Sequence, residues 1–189
     1  MNLLERARLE DMNSSHLEMV LNWRNQEHIR SVMFHDQIIS LEEHRKWFDR
    51  VKEDQRTIVK IFYLDNVPLG VVNFTNIDFK NGKCSWGFYV GDQNAPKGSG
   101  TLMGYLALNF IFEELNIRKL CAEIISFNER SIRYHQRLGF RTEGVLREHV
   151  LKNNKYADVI LMALFNKEWI EQKNKIQNMI QNMIEGMRV

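Results

Sequence analysis

The chain has 189 residues, 44% of them hydrophobic, which suits one globular domain with a sizeable core and leaves little for a second. Lysine and arginine number 26 against 24 acidic residues, a formal charge of +2, so the composition lacks the basic footprint of a nucleic-acid binder and any anionic ligand must be held by local groups. No stretch approaches membrane-spanning length, and the start Met1-Asn2-Leu3-Leu4-Glu5-Arg6 carries charge where a secretion signal needs an apolar core, so a cytoplasmic protein without a membrane partner is expected.

Residues 3–10 are expected to begin a strand. Asp11-Met12-Asn13-Ser14 then offers capping chemistry to a first helix that runs to about Asn25, with Leu17, Val20, Leu21 and Trp23 at helical spacing. Ser40-Leu41-Glu42-Glu43 is a capping box, and Leu41, His44, Trp47, Phe48 and Val51 share the face of the helix it starts. From Thr57 the pattern turns to β-branched and aromatic runs. Ile58–Leu64, Leu69–Ile77 and Cys84–Val90, separated by Asp65-Asn66 and Lys80-Asn81-Gly82, predict an antiparallel meander. A helix over Leu102–Leu115, a buried strand over Ile117–Ile125, a helix capped by Asn128 and ending at Leu138-Gly139, and strands over Phe140–Arg147 and Tyr156–Leu164 follow. Cys84 and Cys121 both lie in strand-like apolar stretches and read as small buried hydrophobes, not as a disulfide or metal ligands.

The tail from Lys167 is helical, with Ile176, Met179, Ile180, Met183, Ile184 and Met187 forming one apolar stripe. Two readings stand for it: packing on the chain's own sheet, or a contact with a partner or with a second copy in a homodimer.

Gly98-Ser99-Gly100 lies between a predicted strand and a predicted helix, where the first amides of the helix lack internal partners and the dipole favours negative charge. Glycines let the backbone approach a pyrophosphate, while Lys97 and Thr101 add a cation and a hydroxyl. Alone, Gly-x-Gly is equally a flexible turn. Its context is a second segment about thirty residues on, Asn128-Glu129-Arg130-Ser131-Ile132-Arg133-Tyr134-His135-Gln136-Arg137-Leu138-Gly139-Phe140.

Together the two segments resemble the GCN5-related N-acetyltransferase (GNAT) superfamily. Ala95-Pro96-Lys97-Gly98-Ser99-Gly100 matches both glycines of that family's [Gln/Arg]-x-x-Gly-x-[Gly/Ala] loop and departs at Ala95. The second segment matches Asn-x-x-[Ala/Ser]-x-x-x-Tyr-x-x-x-Gly-Phe at Asn128, Ser131, Gly139 and Phe140, with His135 where tyrosine is usual. The resemblance implies an α/β GNAT fold: a mixed, mostly antiparallel twisted sheet of about seven strands flanked by helices, with residues 1–166 as the acetyltransferase domain and 167–189 as a C-terminal amphipathic helical extension. It implies acetyl-CoA as the acetyl donor and no metal. Lys97, Gly98, Ser99, Gly100, Thr101, Asn128 and Ser131 would hold the donor, and a backbone amide around Tyr89 and Val90, beside a bulge near Gly91, would meet the acetyl carbonyl.

In the family the tyrosine protonates the departing thiolate. Here a protonated His135 could donate, Tyr134 is the neighbouring alternative about 100° away on the helix, and the third reading is that neither acts. Glu123 is charged in an apolar strand, so it reads as the general base, with an outward residue paired to a surface lysine as its plain alternative.

Leu21-Asn22-Trp23-Arg24-Asn25, Met33-Phe34 and Ile39-Ser40-Leu41-Glu42-Glu43-His44 narrow the match to a subgroup, similar to the UDP-4-amino-4,6-dideoxy-N-acetyl-β-L-altrosamine N-acetyltransferases of pseudaminic acid biosynthesis. That likeness implies a UDP-amino sugar as acceptor. Arg24 and His44 would meet the nucleotide or its phosphates, Thr75 and Tyr89 would line the groove, Asn73 would lie near the amine, and Met33 would pack on the uracil or the sugar methyl. The plain alternatives are a surface salt bridge for Arg24 and a packing role for His44. The alternative activities are a ribosomal-protein-type N-terminal or polyamine acetyltransferase and, in another class, a silent acyl-CoA sensor or interaction module.

Overall fold

The computed structural model describes residues 3–185, with side chains through residue 182. Seven strands form one sheet: β1 (Ala7–Asp11), β2 (Ile58–Leu64), β3 (Val67–Asp78), β4 (Lys83–Val90), β5 (Lys119–Ile125), β6 (Arg141–Lys152) and β7 (Lys155–Phe165), in the spatial order β1-β2-β3-β4-β5-β7-β6. Every neighbouring pair is antiparallel except β4 and β5. The helices are α1 (Leu3–Arg6), α2 (Leu17–Arg24, entered through a 3-10 turn at Ser14–His16), α3 (Glu27–Arg30), α4 (Leu41–Glu53), α5 (Ser99–Asn109, continued by a π turn at Phe110–Glu114), α6 (Glu129–Leu138) and α7 (Asn166–Glu185).

Local chemistry sets the helix starts. Asn13 caps the turn before α2. At α4 the Ser40 hydroxyl accepts from the Glu43 amide at 3.2 Å while the Glu43 carboxylate accepts from the Ser40 amide at 2.8 Å, the reciprocal box expected from Ser-x-x-Glu. The expectation of a strand over residues 3–10 is half corrected. Residues 3–6 turn as a helix, and β1 begins only at Ala7, where pairing with Leu64 starts. The Arg6 guanidinium and the Asp65 carboxylate pair across that corner.

Strand alternation divides the core between two faces of the sheet. Val72, Phe74, Trp86, Leu120, Ala122 and Ile124 face α5, α6 and α7, forming one large core with Leu102, Leu108, Leu138 and Trp169. Val59, Ile61 and Val71 face the other way and pack with Val20, Trp23 and Phe48 of α2 and α4. Ile176 and Ile180 of α7 are buried in the first core, so that part of the tail's stripe packs on its own domain. The side chains of Met183 and Ile184, and all of Met187, lie outside the described residues.

One break in the sheet positions everything that follows. β4 and β5 pair only at Lys83–Lys119, Cys84–Leu120 and Ser85–Cys121. Beyond those residues pairing stops, so Trp86–Val90 and Ala122–Ile125 form the two arms of an opening gap. At the end of β4 the amides of Gly91 and Asp92 both donate to the Leu69 carbonyl, at 2.8 and 3.1 Å, a bulge at the place the sequence led us to expect.

Candidate active site

The gap supplies backbone donors. Because Gly91 donates to Leu69 on β3 and the Gly82 carbonyl accepts from Lys119 on β5, the even-numbered peptide groups of β4 face β5. The amides of Phe88 and Val90 therefore point into the opening with no strand opposite. Of the expected pair Tyr89 and Val90, the register favours Val90 and turns the Tyr89 amide toward β3.

At the mouth of the gap stands the start of α5. Gly98 caps that helix with φ 96°, a left-handed conformation suited to glycine. Ser99 turns inward, its hydroxyl donating to the Pro96 carbonyl at 2.7 Å. Among the described residues the Gly98 and Gly100 amides find no acceptor. A Cβ on Gly100 would meet nothing nearer than Val90 Cγ2 at 3.8 Å, so the loop stands open beside the gap. Lys97 is exposed next to it, and Thr101 is buried. Free amides, a helix N-terminus and a nearby lysine fit a pyrophosphate. Asn128 and Ser131 serve the start of α6, where the Asn128 side-chain oxygen accepts from the Ser131 amide at 3.2 Å.

His135 and Tyr134 change in meaning. His135 is buried among Trp86, Phe88 and Phe140, with ring centroids at 5.6, 5.6 and 4.9 Å. Its Nδ1 lies 2.8 Å from the Ser131 carbonyl, which fixes the proton there. Burial holds its pKa down at about 4, so the imidazole is neutral near pH 7, which fits the reading in which it does not donate better than that of a protonated donor. Tyr134 is spoken for as well. Its hydroxyl donates to the Gly100 carbonyl at 2.6 Å, and burial pushes its pKa up. Gly104 makes room for it: a Cβ there would stand 2.1 Å from the Tyr134 oxygen. The tyrosine thus ties α6 to the first turn of α5.

The other face of the gap gathers the expected acceptor residues. Asn73, Thr75 and Tyr89 alternate with the core residues of β3 and β4 and so share the α2–α4 face. The Asn73 side-chain Oδ1 lies 2.8 Å from where a Cβ of Gly87 would be, so that glycine leaves the Asn73 side chain its place. Glu123 is exposed on the same face of β5, two residues past the last pair, as Gly87 is on β4. The salt bridges of the described residues give it no lysine partner, unlike its plain alternative reading. Burial raises the Tyr89 pKa and lowers that of Arg24, and the two groups interact electrostatically.

Arg24, at the end of α2, donates from Nη2 to the His35 carbonyl at 2.5 Å, while its Nη1 is buried with no partner among the described residues. Met33 is half-buried in the same irregular segment after α3. His44 is buried on α4 and stacked on Trp47 at 5.0 Å, burial lowers its pKa, and its Nε2 has no partner among the described residues; the stacking fits the packing alternative for this residue. Sequence reasoning missed Arg30 and Lys152. Arg30 Nη1 donates to the Asp36 carbonyl at 2.9 Å, and Lys152 Nζ donates to the Phe34 carbonyl at 2.7 Å and pairs with the Asp36 carboxylate at 2.9 Å. No local motif marks Lys152, which meets Phe34 across a separation of 118 residues.

Comparisons with known proteins bear on the family and the fold. Residues 6–161 match the family model described as an acetyltransferase (GNAT) domain. The chain is 30% identical over 126 residues to the SPbeta prophage-derived uncharacterized N-acetyltransferase YokL of Bacillus subtilis, covering 66% of this chain and 71% of that protein. It is 26% identical over 130 residues to the acetyltransferase PseH of Campylobacter jejuni, covering 69% and 80%. A solved structure of spermidine N-acetyltransferase from Vibrio cholerae, in complex with CoA and spermine, superposes with a TM-score of 0.82 at 20% identity, covering 88% of this chain and 99% of that one.

Proposed function

The chain belongs to the GNAT acetyltransferases and is an acetyl-CoA-dependent N-acetyltransferase; from that premise we propose that its acceptor is the 4-amino group of a UDP-4-amino-4,6-dideoxy sugar, acetylated by direct attack on the thioester. The observation that carries this reading is the Arg24 guanidinium, half-buried on the acceptor face with Nη1 unpartnered. Arg30 of α3 and Lys152 at the end of β6 both bind the segment that Arg24 holds, at Asp36, whose carboxylate pairs with Lys152. A wall with this excess of positive charge suits a pyrophosphate, to which guanidinium presents a planar fork, and repels a polyamine.

Acetyl-CoA, when bound, supplies an activated acetyl thioester. The Gly98 and Gly100 amides with Lys97 would hold its pyrophosphate, and the Val90 amide would hydrogen-bond the acetyl carbonyl as negative charge develops there. Asn73 would orient the amine. Glu123, exposed across the gap, would take the amine proton directly or through a water. His135, neutral and buried, shapes the donor side without giving up a proton. A thiol with a pKa near 8.5 leaves readily enough for water to protonate it.

The test is release of CoA with UDP-4-amino sugars, spermidine and N-terminal peptides offered side by side. A preference for the nucleotide sugar supports the reading. Turnover of spermidine or peptide alone replaces it, and no CoA released with any of these amines would favour a sensor.

A further inference from the structure

Residues 31–39 form neither helix nor strand, yet they are tied down along their length. Arg24 donates to the His35 carbonyl at 2.5 Å; Arg30 donates to the Asp36 carbonyl, and Asn25 both donates to the Ile39 carbonyl and accepts from its amide, these three at 2.9 Å. All three of those side chains come from α2, its C-terminal cap and α3, on the half of the molecule that packs against β4. There Trp23 lies on Gly91, and Gln26 donates to the Gly91 carbonyl at 3.1 Å.

The last tie comes from the other arm. Lys152 closes the β6–β7 hairpin, and β7 runs alongside β5, with Val159 opposite Ile125. Its side chain, only 5% exposed, holds the Phe34 carbonyl and the Asp36 carboxylate. The segment therefore crosses from the end of β4 to the end of β5, over the open end of the gap and on the acceptor face. Burying an ammonium group is costly unless it is paired and hydrogen-bonded, and here both partners belong to the strap.

We infer that Lys152 is a positioning residue for acetyl transfer: by latching residues 33–36 across the gap it fixes the wall against which the acceptor is held, and sets acceptor fit without acting on the donor. Arg24 and Met33 lie on or against this strap, so its position decides where they meet a ligand. The choice of acceptor for the test rests on the nucleotide-sugar reading above, but the latch itself does not.

The experiment compares wild type with Lys152→Met and Lys152→Arg, using amide hydrogen exchange, calorimetric acetyl-CoA binding and steady-state kinetics. Exchange in 31–39 should speed up in the methionine variant and return toward wild type in the arginine variant, while α5 and α6 are unchanged. With the accepted amine, KM should rise about tenfold with kcat and acetyl-CoA affinity within about threefold of wild type, and arginine should restore most of the loss. Unchanged exchange in 31–39 overturns the latch whatever the acceptor. Faster exchange with an unchanged acceptor KM, or an equal loss of acetyl-CoA affinity, overturns its role in acceptor fit. Should the UDP-amino sugar not be acetylated, the kinetic arm runs with whichever amine is, and the exchange arm stands unaltered.

Discussion

The indole of Trp23 lies so close to Gly91 that a Cβ on the glycine would stand 2.2 Å from Cδ2. Gly91 is also the first residue of the bulge that ends β4, so this contact seats α2, and with it Arg24, against the open end of the gap. Replacing Gly91 with alanine should displace Trp23 and destabilise the protein by about 2–3 kcal/mol, as overpacking does. Thermal unfolding of Gly91→Ala checks this, and an unchanged melting temperature would mean that the helix yields without cost.

Tyr134 ties α6 to α5 through the Gly100 carbonyl. Tyr134→Phe should cost about 1 kcal/mol of stability and weaken acetyl-CoA binding modestly, with kcat reduced less than about tenfold. A kcat loss of about a hundredfold or more would instead make its hydroxyl the proton donor.

His135 gives a pH dependence of defined sign. Folded, its imidazole stays neutral down to about pH 4, whereas in the unfolded chain it takes a proton at about 6.5. Between those values the unfolded chain binds more protons, so stability is full above about pH 6.5 and declines as pH falls toward 4. Burial depresses the pKa of His16 and His44 in the same sense. His135→Gln should flatten this acid limb by on the order of 2 kcal/mol, read from denaturant midpoints across that range. It should also leave kcat without a new pH dependence near neutrality. Loss of an ionisation seen in the wild-type kcat profile would restore His135 as the acid.

Glu123 is exposed on the α2–α4 face beside the widening gap. Glu123→Gln should lower kcat by about a hundredfold while acetyl-CoA affinity holds, the pattern of a lost general base. Titration of the variant with acetyl-CoA alongside single-turnover rates separates the two effects, and a wild-type rate would reassign the base.

Much of this was legible in the sequence where the signal is local. The Ser40–Glu43 box, the three meander strands and the glycine that starts α5 follow from residue types a few positions apart. Features that depend on distant pairing were not. His135 reads as a titratable group from its place in a motif, and only the surrounding aromatic rings make it neutral. His44 falls on an amphipathic face, which does not tell its surroundings, and only the folded chain shows it buried and stacked on Trp47. Lys152 looks like any lysine at a hairpin end, and its partners Phe34 and Asp36 come from the other half of the chain. Residues 3–6 show that a short apolar run does not distinguish a strand from a turn of helix.

The most direct test of the anionic-acceptor reading is kcat/KM for a UDP-4-amino-4,6-dideoxy sugar against spermidine, measured for wild type and for Arg24→Gln. We expect wild type to prefer the nucleotide sugar by at least about a hundredfold, and the variant to lose about tenfold or more of kcat/KM on the sugar alone. A wild-type preference for spermidine, or an Arg24→Gln variant as active on the sugar as wild type, would contradict it.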